Sequence, residues 1–159
     1  MNISGKGFYN KYREYILFNK NLIIAGITAT IASAFVAQLY ASHDSNSILN
    51  SFIALVAEYG VYIPIFAILF YWDNKKKYVD PSTGKRDSAK LRSDFKKLVA
   101  AFSISEIFYI VTRTSLHYLL LQLGLEPYQA SVTGSVVGGI VFVVCINTSV
   151  KHVKLFRKT

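Results

Sequence analysis

Residues 98–124 read LVAAFSISEIFYIVTRTSLHYLLLQLG, a stretch apolar and long enough to cross a bilayer that nevertheless carries Glu106, Arg113 and His117. A spanning helix needs roughly 20 mostly apolar residues, and ionisable groups inside one are costly. Ser103, Glu106, Ile110, Arg113 and His117 step by 3, 4, 3 and 4, so one helix face is expected to hold all five. That face cannot look at lipid. It requires partner helices or a wet cavity, and the rest of the chain is read as what supplies them.

The chain has 159 residues, of which 52% are hydrophobic and 14% aromatic, too apolar for an ordinary soluble domain of this length. Four apolar stretches, residues 21–41, 51–72, 98–124 and 130–150, each meet the length needed to cross a hydrocarbon core of about 30 Å at about 1.5 Å per residue. The expected fold is an all-α integral membrane protein, a single domain of four transmembrane helices in the cell membrane. Residues 1–20 form a cytoplasmic or interfacial lead, and residues 73–97 form a cytoplasmic loop.

A formal charge of +9 would suggest nucleic acid in a soluble protein, but here its distribution argues otherwise. Of 18 basic residues all but Arg113 precede the first stretch, lie between the second and third, or follow the fourth. The other two loops, residues 42–50 and 125–129, contain no Lys or Arg. The excess of basic residues on one side places both termini and the middle loop in the cytoplasm. Nucleic acid is therefore not an expected partner; membrane lipids are.

The lone Cys145 permits no internal disulfide and reads as a small apolar residue of the fourth helix. No cleaved signal peptide is expected, because the first apolar stretch is long and follows a basic, aromatic lead. In that lead Phe8, Tyr12, Tyr15 and Ile16 share a helical stripe, the pattern of a helix in the headgroup layer. His43 and Asp44 in the outer loop read as solvated residues; two ligand types do not make a metal site. The middle loop has a DPSTG turn signal but no glycine-rich phosphate cradle, paired Cys or His, or nucleophile motif. No catalytic residue, cofactor or metal is expected, and the chain does not read as an enzyme.

Small residues mark the packing faces. Ala25, Ala29, Ser33 and Ala37 form one ladder on the first helix, and Gly26, Thr30 and Ala34 form another beside it. On the fourth helix Gly134 and Gly138 stand at GxxxG spacing, with Ser131, Ser135 and Gly139 in a parallel ladder. Pro64 is expected to kink the second helix. A shift of 76 residues lays Lys20 on Lys96, Leu22 on Leu98, Ala25 on Ala101, Ala54 on Ala130 and Phe66 on Phe142. Two parallel hairpin repeats would account for this.

Rise per residue puts Glu58 and Arg113 at nearly the same depth, and Glu106 about 10.5 Å from Arg113 along the axis. The expected intramembrane polar site comprises Glu58, Glu106, Arg113, His117 and Asn147, with Glu106 facing Asn147 or a wet cleft. Such a set reads either as a polar track receiving a charged headgroup or as an ion pair that fixes helix register.

With four crossings, short outer loops and basic inner ends, the chain resembles the GtrA-like family of small membrane proteins. Asn74-Lys75-Lys76-Lys77-Tyr78 matches the asparagine, basic and aromatic run that follows the family's second helix. The layout from Phe95 to Phe156, through Asn147 and Lys154-Leu155-Phe156-Arg157, is similar as well, although the family's tryptophan in the inner motif is absent. The resemblance implies moving or presenting polyprenyl-linked sugars for cell-surface glycosylation, with a polyprenyl-phosphate-linked sugar as ligand. The alternative reading is an accessory subunit packed on a larger membrane enzyme or transporter, or on further copies of itself.

Overall fold

The computed structural model describes residues 5–80 and 82–155, with side chains described from residue 12 onward. Four long helices account for most of the chain: α1 (Gly5–Ala41), α2 (Ser47–Asn74), α3 (Ser88–Gln122) and α4 (Pro127–His152). Phe8 falls where side chains are not described, and Phe156, Arg157 and Lys158 lie outside the described residues. The basic lead is not a separate element: it is continuous with α1. The middle loop is shorter than its 25 residues suggest. A 3-10 turn at Lys75–Tyr78 and a bridge between Val79 and Arg86 enclose the turn, and α3 already begins at Ser88. Asp80 accepts from the Ser82 amide and the Ser82 and Thr83 hydroxyls, which holds its carboxyl below the usual range.

Helix ends are set locally. The Asn46 side chain accepts from the Ile48 and Leu49 amides at the start of α2, and Asp87 accepts from Lys90 at the start of α3. At the end of α3, Gly124 takes a left-handed φ of 83° while Leu125 N–H reaches Leu120 O and Gly124 N–H reaches Leu121 O. These paired bonds close the helix and turn the chain into Pro127, the first residue of α4. The end of α4 repeats the arrangement with Lys154, at φ 54°, in the glycine position.

The helices pack as two hairpins, α1 on α2 and α3 on α4, joined where α1 lies against α4 and α2 against α3. Three of them, over Tyr12–Ala41, Ser47–Tyr78 and Pro127–His152, are long and apolar enough to cross a membrane. The fourth, α3, carries Glu106 and Arg113 within its apolar part. Burial is inverted relative to a soluble bundle. Ile31, Phe35, Ile107, Ile140 and Val144 are each more than 60% exposed, while Arg113, His117, Ser33 and Ser131 are fully buried. A chain that turns its isoleucines outward and its arginine inward is folded for an apolar solvent.

The interior has two halves. Toward the chain ends, Phe18, Leu22, Phe66, Leu98, Phe142, Ile146 and Val150 form an apolar core, with Phe18 edge-on to Phe66, Phe70 and Phe102. Toward the α1–α2 turn the core is polar, with Ser33, Asn50, Ser51, Glu58, Arg113, His117, Ser131 and Ser135 buried. Positions 76 apart are buried in both hairpins at Leu22 and Leu98, Ala25 and Ala101, Ala29 and Ser105, Ala37 and Arg113, and Phe66 and Phe142.

The buried stripe of α3 differs from the one that its spacing suggests. Leu98, Ala101, Ser105, Arg113 and His117 are buried, whereas Ser103 and Ile110 are exposed. The small residues decide this. Ala101 and Ser105 let α3 approach its neighbours, and a helix seats its smallest side chains where backbones come closest. Glu106 consequently sits at the edge of the stripe, half-buried.

Candidate functional site

Arg113 sits in a closed socket. Its Nε donates to Glu58 Oε2 at 2.9 Å, and Nη1 donates to Ser51 O at 2.8 Å and to His117 Nδ1 at 3.1 Å. Nη2 donates to Ser33 Oγ at 2.7 Å and lies 3.5 Å from Ser131 Oγ. Because a guanidinium only donates, His117 Nδ1 accepts, and the ring proton belongs on Nε2, which is buried without a partner. Glu58 is equally occupied. The Tyr109 hydroxyl donates to Oε1 at 2.5 Å, and Ser135 Oγ donates to Oε2 at 3.0 Å. All four helices supply atoms, so the pair is held by the whole bundle.

The glycines explain how an arginine fits there. A Cβ on Gly138 would stand 2.9 Å from Arg113 Cβ and 3.1 Å from the Tyr109 ring, and one on Gly134 would stand 3.0 Å from Arg113 O. Both glycines face α3 at the level of the socket. Ser131 and Ser135 share the buried face and bond to the ion pair or its partners. Gly139 lies apart from this seam, with nothing within 4 Å of where its Cβ would be.

What Gly139 does line is a groove of about 720 Å³. Its walls come from α1, with Ile23, Gly26, Ile27, Thr30, Ile31 and Ala34, and from α4, with Val132, Val136, Gly139, Ile140 and Val144. The second small-residue ladder of α1 is therefore a groove wall. At the floor stand Glu58, Tyr59 and Tyr62 of α2 and Glu106 and Tyr109 of α3. The Tyr59 hydroxyl donates to Glu106 Oε2. The rings form one continuous surface: Tyr59 meets Tyr109 edge-on at 6.2 Å, and Tyr109 and Tyr62 meet Phe142 at 6.0 and 6.4 Å.

Glu58, Arg113 and His117 are thus brought together, and Glu106 stands one wall away on the groove side. Asn147 joins neither group; it exchanges hydrogen bonds with Asn19 at 2.8 and 2.9 Å, tying α4 to α1. Sequence reasoning missed Tyr59, Tyr109, Ser33 and Ser51. The two tyrosines had a signal, since Tyr59 adjoins Glu58 and Tyr109 follows Glu106 by three residues. The serines had none, because only the fold shows which small polar residue meets the guanidinium. Two further ion pairs among the described residues lie near the basic end of the bundle, where Lys20 meets Asp73 and Lys77 meets Asp94, both at 2.8 Å. No protein-family model, curated protein or solved structure matches the chain.

Proposed function

We propose that the chain spans the membrane four times, with both termini and residues 73–97 in the cytoplasm, and holds the apolar tail of a membrane lipid in the groove between α1 and α4. The specific ligand on this reading is a polyprenyl-linked sugar, moved or presented for cell-surface glycosylation. The groove carries the proposal: its walls are isoleucine, valine and small residues, as an isoprenoid chain requires. α3 serves as the fourth span because, from Leu98 onward, its ionisable groups point inward or into the groove. Its outward residues, among them Val99, Ile104, Ile107, Val111 and Leu119, are apolar and exposed. The basic ends set the orientation, and the burial shared by positions 76 apart supports two parallel hairpins.

Melting of the purified protein with and without polyprenyl phosphate tests the reading. The lipid is expected to raise the melting temperature of the wild type and not that of Gly139→Phe, a change into open space. No response in the wild type overturns it. A second reading, the accessory subunit, draws on Gly26, Thr30, Ala34 and Gly139, whose small side chains would also admit a partner's helix. A stoichiometric membrane partner that is lost from Gly139→Phe would favour it.

A further inference from the structure

One feature of the groove is foreign to an isoprenoid chain. Glu106 lies on its floor, and among the described residues it is the only carboxylate of the apolar segments with no cation beside it. Glu58 on the same floor is already neutralised by Arg113, so the charge presented to the groove is that of one carboxylate. Tyr59 donates to Glu106 Oε2, and among the described residues no group donates to Oε1. Next to it, the Tyr62 hydroxyl is buried and has no hydrogen-bond partner, although its side chain lines the groove. Around these groups the rings of Tyr59, Tyr62, Tyr109 and Phe142 touch one another.

We propose that the deep end of this groove binds an organic cation with an apolar body, a lipophilic amine or quaternary ammonium. Glu106 is its counter-ion and the tyrosine rings are its walls. The chemistry is complementary on three counts. A carboxylate in an apolar surround lacks a counter-charge, and a cation supplies it at close range. Aromatic faces attract cations, most strongly where both are desolvated. An apolar-bodied cation partitions into the bilayer and reaches the groove sideways, past Ile27, Ile31, Val136 and Ile140. A phosphate headgroup finds none of this, because every donor of Arg113 is already directed at protein acceptors.

The inference rests on the groove admitting a ligand, as in the lipid reading, and adds a second ligand class that competes for the same space. The probe is tetraphenylphosphonium, titrated by calorimetry into the full-length protein in detergent. Saturable binding is expected in the wild type. Glu106→Gln keeps the shape and the Tyr59 hydrogen bond while removing the charge, and should weaken binding at least tenfold, about the loss of one charge-assisted contact. Gly139→Phe should abolish it. Tyr62→Phe, which keeps the ring, should bind nearly as the wild type does.

Equal affinity of wild type and Glu106→Gln, or no binding to the wild type, overturns the cation site. Polyprenyl phosphate separates the two readings. If it stabilises a protein that ignores tetraphenylphosphonium, the lipid reading stands and the cation site falls. If the cation binds through Glu106 and the lipid has no effect, the reverse holds. Should Glu106→Gln fail to fold, displacement of the cation by Gly139→Phe together with retention in Tyr62→Phe decides the matter. Loss in Tyr62→Phe equal to that in Gly139→Phe would count against an aromatic site.

Discussion

At the scale of the residue, Arg113 is a lock. Its five N–H donors have protein acceptors on three other helices and on its own, so the guanidinium offers nothing to a headgroup. Losing one member of a buried pair strands the other, which costs roughly 3–5 kcal/mol. Arg113→Gln and Glu58→Gln are each expected to lower stability by that order, and the double change Glu58→Gln with Arg113→Gln to recover much of it. Unfolding of all four proteins in a graded denaturing detergent measures this; additive losses in the double variant would remove the pairing from the account. The pairing itself was legible in the sequence, because equal depth from opposite ends of two spans brings Glu58 and Arg113 level. The place of Glu106 was less so. Spacing alone set it on the same face as Arg113, and the close approach of Ala101 and Ser105 rotates that face by about one residue.

At the scale of the element, neighbouring glycines on α4 have opposite roles. Gly138 faces α3 so closely that a side chain would collide with Arg113 Cβ, whereas Gly139 opens on the groove. Gly138→Leu is expected to prevent assembly of a folded bundle and Gly139→Leu to melt like the wild type, as read by size-exclusion chromatography and thermal scans. The GxxxG spacing announced a packing face, yet it could not say which ladder meets a helix and which meets a cavity. That depends on the turn by which α4 is rolled against α3, and no local residue encodes it. The end of α4 gives a smaller test. Lys154 occupies a left-handed position that disfavours a side chain by roughly 1–2 kcal/mol. Lys154→Gly should relieve part of that and raise the melting temperature by a few degrees.

At the scale of the whole molecule, the helical class and three helices long and apolar enough to cross a membrane were legible because bilayer thickness and hydropathy leave few alternatives. The groove was not, since it is a space between helices that are not adjacent in the chain. Orientation rests on the basic residues, and cysteine labelling checks it. With Cys145 replaced, an impermeant reagent outside intact cells should label Ser45→Cys and spare Ser82→Cys, both of which are exposed positions. The reverse pattern would invert the protein in its membrane. The arginine socket also bears on how the protein is made. Ser33, Ser51 and Glu58 precede Arg113 in the chain, whereas His117, Ser131 and Ser135 follow it. On the four-span reading, three of the guanidinium's five acceptors are thus in the bilayer before it arrives as the nascent chain leaves the ribosome. The most polar helix enters last but one, into a half-built receptacle. A circular permutant that is translated with the second hairpin first would lose that order. It is expected to insert the Arg113 helix more slowly in a pulse-labelled protease-protection assay, while reaching the same finished bundle.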